Sequence, residues 1–291
     1  MHISSFEYRN LYKPIFFSVN MNFKIMTYNI ERGFHSAEHI LEKERLLAVQ
    51  RIVKQVNPDI LALTEACYGE ENSLGIKMDY QNIFDFPYGQ FGGYSNFGPR
   101  NADIGGNCLL SNFSMQGEAV KLAYKGAVRA AINIEDKILN LDVVHPSYSV
   151  SDNEKISTLS PLITSRKEPY ILTGDFNTVH PDDEYNWETL ADELKSFNPE
   201  KAALLIDNWQ KAGLVSWLLK LGLKDSFSIP KRQSTVPTKR AYQEERGGVR
   251  MDFFFISPNV ESIESYVLKN EDTEIASDHY PIVGVFDLKT P

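Results

Sequence analysis

Apolar and polar positions follow one another along this chain in short blocks. Phe23 to Ile30 is apolar on both faces, the pattern of a strand covered on both sides. From Glu38 to Val56 the stripe Leu46, Val49, Val53 and Val56 has helical spacing, and Asn57-Pro58 stops it. Ile60 to Glu65 is a short apolar strand ending in a carboxylate. Ala127 to Glu135 alternates, with Val128, Ala130, Ile132 and Ile134 on one face, and Ile138 to His145 is its hairpin partner through Asp136-Lys137. Tyr170 to Asp175, Met251 to Ser257 and Ile282 to Phe286 complete the predicted strands, and residues 187–221 hold a second helical region. Short strands at hairpin spacing with few helices predict two packed sheets with helices outside, rather than a doubly wound parallel sheet. No internal repeat or linker-like shift divides the chain, so one domain is expected over 21–291, preceded by an extension at residues 1–20.

Composition narrows the setting. Of 291 residues 42% are apolar and 24% charged, the mix of a globular protein with a sizeable core. No run of about 18 uncharged apolar residues predicts a membrane span. The run Ile15 to Val19 is too short for a signal-peptide core, which points to the cytoplasm. Cys67 and Cys108 are read as two reduced thiols, with a single disulfide as the alternative. The net charge of −9 argues against tight, sequence-blind binding to a long polyanion. One segment runs against it: Lys224, Lys231, Arg232, Lys239, Arg240, Arg246 and Arg250 outnumber Asp225, Glu244 and Glu245, forming either a local basic rim or a solvated loop. The aromatics Phe86, Tyr88, Phe91, Tyr94 and Phe97 are either a substrate-stacking rim or a loop that packs on the body.

Candidate chemistry lies where apolar runs meet ionisable groups. Ile60 to Thr64 ends in Glu65, Tyr170 to Gly174 in Asp175, and Leu139 to Val144 in His145, while Asp252 interrupts Met251 to Ile256. A buried, unpaired carboxylate costs several kcal/mol, so each needs a partner, a metal or an opening to water. Strand ends converging at one sheet edge would supply a shared cleft. Asp175 and Asn177 are two apart, as are Asn29 and Glu31, so continued strand geometry places each pair on one side. Oxygen donors without thiolates suit a hard cation, Mg²⁺ or Mn²⁺, better than zinc.

Thr27-Tyr28-Asn29-Ile30-Glu31, Leu63-Thr64-Glu65, Gly174-Asp175-Phe176-Asn177, Arg250-Met251-Asp252-Phe253 and Ala276-Ser277-Asp278-His279-Tyr280-Pro281 resemble, in order, the motifs of the endonuclease/exonuclease/phosphatase superfamily. That group includes deoxyribonuclease I, apurinic endonucleases, bacterial sphingomyelinases, inositol-polyphosphate phosphatases and messenger-RNA deadenylases. The resemblance implies an α+β four-layer sandwich, two mostly antiparallel sheets face to face with helices on both outsides. It implies that Glu65 is the main Mg²⁺ ligand, supported by Asn29, with direct or water-mediated contacts from Glu31 and Asp278. Asp175 resembles the residue that orients or deprotonates the attacking water, and Asn177 the amide on the scissile phosphate. His279, held by Asp252, resembles the imidazole that stabilises the pentacovalent phosphate or assists the leaving group. His145 fits a phosphate-binding position. Arg129 is either a further phosphate contact or an ordinary strand arginine.

Two departures stand out. Glu31 replaces an aspartate of some nuclease members, and nothing except 224–250 resembles their duplex-gripping insertions. The expected activity is Mg²⁺-dependent hydrolysis of a phosphodiester by metal-assisted water, with nucleic acid slightly ahead of other substrates and a monomer as the default. The rivals are a phosphomonoesterase or sphingomyelinase-like phospholipase, and a non-catalytic binding module that kept the fold.

Overall fold

The computed structural model describes residues 22–71, 74–94, 105–123, 125–197, 199–241 and 247–289, so the expected extension at 1–20 lies outside it. The strands are β1 (Phe23–Asn29), β2 (Ile60–Thr64), β3 (Tyr88–Tyr94), β4 (Gly105–Ser111), β5 (Met115–Lys121), β6 (Gly126–Ile134), β7 (Lys137–Val144), β8 (Tyr170–Asp175), β9 (Lys224–Asp225), β10 (Asp252–Ile256), β11 (Val260–Val267) and β12 (Ile282–Leu288). The α-helices are α1 (Lys43–Val56), α2 (Tyr80–Phe84), α3 (Asp152–Thr164), α4 (Trp187–Phe197), α5 (Ala202–Lys211), α6 (Gly213–Lys220) and α7 (Glu271–Ala276). Two six-stranded sheets result, ordered β11-β12-β1-β2-β4-β3 and β5-β6-β7-β8-β10-β9. In each the central pair is parallel, β1 with β2 and β7 with β8, and the other pairings are antiparallel. Parallel neighbours need a long crossover, which α1 and α3 supply. The expected four-layer sandwich is therefore the fold.

Strand alternation divides the core into layers. Ile25, Ile60, Ala62 and Leu109 meet Val128, Leu141, Val143, Ile171 and Phe254 between the sheets. The opposite-phase residues Met26, Tyr28, Leu61 and Leu63 pack under α1 through Val49, Ile52, Val53 and Val56. On the other outside, Val144, Leu172, Phe253 and Phe255 pack under α3 and α6 through Leu159, Ile163, Leu214 and Leu218.

Several expectations move. The first helix starts at Lys43, not Glu38, because residues 35–42 form a turn in which His35 pairs with Leu41 and Glu42 N donates to Phe34 O. The β6–β7 turn is Glu135-Asp136, one residue earlier than expected, with Glu135 at φ 55°. Cys67 and Cys108 are buried and unbridged. Phe84 and Phe86 are buried under the first sheet and Phe91 packs against the same layer, so these aromatics serve the body. Phe97 and the side chain of Tyr94 lie outside the described residues. Among the described residues no helix is long and apolar enough to cross a membrane.

Candidate active site

The carboxyl ends of the four central strands meet at one end of the inter-sheet layer. Along β1 the inward side chains run Ile25, Thr27, Asn29, and along β8 they run Ile171, Thr173, Asp175. Each sheet thus passes from apolar to hydroxyl to ionisable in three steps of two. The Thr27 and Thr173 hydroxyls hydrogen-bond at 2.7 Å, and one step further Asn29 Nδ2 donates to Asp175 Oδ2 at 3.1 Å. His145 follows Leu141 and Val143 in the same phase and brings Nε2 to 3.2 Å from Asp175 Oδ2. Asp252 opens β10 directly opposite Asp175 in the ladder.

Local backbone places the remaining groups. Gly174 has φ 141°, and a Cβ there would lie 1.8 Å from Val144 O, so only glycine lets β8 run this close to β7. Glu65 is out of phase with the inward stripe of β2, but φ 52° turns it to the site. There its Oε2 accepts from Arg32 N at 3.1 Å and its Oε1 lies 3.5 Å from Asn29 Nδ2. Its side chain keeps 31% of its surface exposed, so it remains open to a ligand in the cleft. Asn177 also leaves strand geometry, at φ 49°. Its Nδ2 donates to Pro146 O at 3.0 Å, while buried Lys155 holds its carbonyl at 2.7 Å.

The imidazole of His279 completes the floor. Its Nδ1 lies 2.9 Å from Asp252 Oδ2, and its Nε2 3.7 Å from Asp175 Oδ2. Burial disfavours its charge, but Asp252, Asp175 and Asp278 outweigh that and raise its pKa well above the usual histidine range. Burial likewise opposes ionisation of Asp175, yet His279, His145 and the Asn177 N–H hold it far below the usual carboxylate range. For Asp278, burial comes first; His279 opposes it, and Glu65, Glu31 and Asp175 add to it, pushing the pKa up to about 6. Glu65 has burial against it, but His145, Lys125 and the Arg32 N–H lower its pKa.

The structure thus brings together Asn29, Glu65, His145, Asp175, Asn177, Asp252, Asp278 and His279. It adds Lys125, whose Nζ stands 3.1 Å from both His145 ring nitrogens. It also adds Arg45, a buried α1 residue. Arg45 donates to Ile30 O and Glu31 O at 2.9 Å and to Ala276 O at 2.8 Å, tying the loops after β1 and before β12 together. Lys125 lies at a β5–β6 turn with no motif around it, and Arg45 sits in an ordinary helix, so neither was legible.

Three expectations are corrected or narrowed. Arg129 is out of phase with Val128 and Ala130 and therefore points away from the cleft. Its Nε and Nη2 each hold a carboxylate oxygen of Asp142 at 2.9 Å, and Nη2 also donates to Leu162 O. Glu31 reaches the cleft, but Arg240 and Arg45 already pair with its carboxylate. The basic segment is narrowed, because its described arginines are paired while Lys224 and Lys239 are exposed. Arg250 and Arg232 are turned inward onto Asp183 and Asp225, Lys231 sits 4.0 Å from Glu264, and Arg240 pairs with Glu31 and Glu42. Arg246 lies outside the described residues.

The cleft above this floor has a volume of about 690 Å³. The sequence profile of the Endonuclease/Exonuclease/phosphatase family matches residues 26–279, a stretch that begins in β1 and ends on His279. The chain belongs to that family. No curated protein matches it significantly. Solved family structures share the fold. An endonuclease/exonuclease/phosphatase from Beutenbergia cavernae is 16% identical with a TM-score of 0.65, covering 92% of this chain and 72% of its own. An AP endonuclease from Archaeoglobus fulgidus is 19% identical with a TM-score of 0.63, covering 91% of this chain and 100% of its own. ANGEL2, a 2′,3′-cyclic phosphatase in complex with adenosine-2′,3′-vanadate, is 16% identical with a TM-score of 0.60, covering 93% and 97%. Members of the family are phosphoesterases and nucleases, typically dependent on a divalent metal.

The residues present fit such a metal. The carboxylates of Glu65, Asp278, Glu31 and Asp175 all line the cleft, a set of oxygen donors that suits a hard cation. Among the described residues no three His, Cys, Asp or Glu side chains form a ready-made cage.

Proposed function

We propose that this chain is a Mg²⁺-dependent hydrolase of phosphodiesters, acting by direct attack of water without a covalent intermediate. The observation that carries the reading is Asp175 Oδ2, with Asn29 Nδ2 at 3.1 Å, His145 Nε2 at 3.2 Å and His279 Nε2 at 3.7 Å. A carboxylate ringed in this way is a fixed, ionised acceptor beside groups that suit phosphoryl oxygens. Held by these neighbours, it is placed to orient or deprotonate the attacking water. Glu65, with Asn29 and Asp278, is the donor set that would hold the cation, which supplies Lewis acidity and a lowered water pKa when bound. His279, its Nδ1 fixed by Asp252, offers a charged Nε2–H to a phosphoryl or leaving oxygen. Lys125, His145 and the Asn177 amide offset charge on the oxygens opposite.

Turnover of bis-nitrophenyl phosphate tests this. Activity should vanish with a chelator and return with Mg²⁺ or Mn²⁺. It should fall roughly 10³-fold in Asp175→Asn, and Glu65→Gln should recover only in part at excess Mg²⁺. Turnover that ignores the chelator would sink the metal's role, and an Asp175→Asn variant of full activity would sink that of Asp175.

A further inference from the structure

The cleft has two unlike halves, and the chemistry above occupies only one. Facing the polar floor is a wall built by α4, α5 and residues 236–241 and 247–251, including Leu190, Leu194, Leu205, Trp209, Val236 and Met251. Leu190, Leu205, Trp209 and Met251 are buried in a cluster of their own, and Leu194 and Val236 are half-buried against it. Several of the described charged groups along this side have partners. Glu193 accepts from Gly247 N at 3.0 Å, Arg240 pairs with Glu31 and Glu42, and Lys201 stands 4.5 Å over the Tyr148 ring.

These features select among substrates. A strand of nucleic acid is held by cations spaced along its phosphates, and three of the 224–250 cations that could have joined such a row are paired instead, Arg232 and Arg250 with buried carboxylates and Arg240 with Glu31 and Glu42. The floor groups Lys125, His145, Asp175 and His279 share a cavity of about 690 Å³ with the apolar side chains of the wall, beside Glu193 and Arg240. That is the build of a small-molecule site, with a few polar groups fixing orientation and apolar surface holding the remainder.

We propose that the cleft binds a small phosphoester with an apolar ester arm, its phosphoryl group on the floor and its arm against the α4–α5 wall. The placement of the phosphoryl group rests on the phosphodiesterase reading. The arm's selectivity rests on the wall. Each methylene moved from water onto such a surface contributes about 0.8 kcal/mol, about fourfold in affinity.

Phosphonates, whose C–P bond is not hydrolysed, separate binding from turnover. The full chain with Mg²⁺ is titrated calorimetrically with methyl-, butyl- and phenylphosphonate and with an oligothymidylate, and turnover of bis-nitrophenyl phosphate is measured on the same preparation. Butylphosphonate, with three more methylenes, should bind roughly fiftyfold tighter than methylphosphonate, and phenylphosphonate should also bind tighter than methylphosphonate. Oligothymidylate should bind more weakly than butylphosphonate. In the double variant Leu194→Ser, Val236→Thr the butyl-to-methyl ratio should fall at least about fivefold. Butyl and methyl affinities within about twofold in the unaltered chain would overturn the inference. So would oligothymidylate binding tighter than butylphosphonate, or a ratio unchanged in the variant. Apolar selectivity without diester turnover would sink the hydrolase reading and leave this one standing, whereas turnover without selectivity would sink this one alone.

Discussion

Asp252 and His279 should behave as one catalytic unit. Asp252 Oδ2 is 2.9 Å from His279 Nδ1 and both residues are buried, so the carboxylate is held against the ring. Two unit charges about 4 Å apart attract by about 4 kcal/mol at an effective dielectric of about 20. Removing one member of a buried pair leaves the other uncompensated, at a cost of about 3–5 kcal/mol. Asp252→Asn and His279→Gln should therefore each lower kcat/KM on bis-nitrophenyl phosphate roughly 10³-fold, about 4 kcal/mol of transition-state stabilisation. The double variant should be little worse than the worse single, a coupling of about 3 kcal/mol. It should also unfold at a higher urea concentration than either single, since neither charge is then stranded. Assays at saturating Mg²⁺, with urea midpoints for all four proteins, make the comparison. Losses that multiply, with coupling under about 0.5 kcal/mol, would refute the unit.

Other expectations follow from single contacts. Gly174→Ala should destabilise the fold by about 3 kcal/mol, because the new methyl meets Val144 O in a backbone conformation essentially reserved for glycine; an unchanged urea midpoint would contradict this. Lys155→Met should cost about 3–5 kcal/mol by stranding buried Asp152, 3.1 Å from the ammonium, and combining it with Asp152→Asn should restore part of the loss. Arg129→Ala should lower stability by about 2 kcal/mol through Asp142 while leaving KM for the diester unchanged. A KM increase of about tenfold would return Arg129 to the phosphate.

Much of the fold was legible because strand phase and hydrophobic phase coincide. β1, β2, β6, β7, β8, β10 and β12 all announce themselves as apolar or alternating runs. The elements not anticipated carry weaker patterns. β5 (Met115–Lys121) is largely exposed, and β3 contains three glycines among seven residues, so neither shows a clean stripe. The start of α3 rests on a capping box between Ser151 and Glu154, a local signal that carries no hydrophobic stripe with it.

The site was legible to the extent that it obeys the same phase. Asn29 continues Ile25 and Thr27, Asp175 continues Ile171 and Thr173, His145 continues Leu141 and Val143, and Asp252 precedes Phe254, all on the inter-sheet face. Arg129 breaks that phase, and its place on the outer face with Asp142 was readable from Val128 and Ala130 alone. Glu65 breaks it too, yet reaches the cleft because one residue adopts φ 52°, which no periodicity reveals. Phase therefore sorts strand residues by face but is silent where the chain leaves the strand, and there family motifs carried the assignment. Charge was the least readable property. Arg232 and Arg250 look the same in sequence whether they face a phosphate or Asp183 and Asp225, since a cation's partner is set by tertiary packing. An apparent basic rim in an acidic chain is therefore weak evidence for a polyanion until its partners are known. Here Arg232 and Arg250 are paired with Asp183 and Asp225, so their charge says nothing for a phosphate chain.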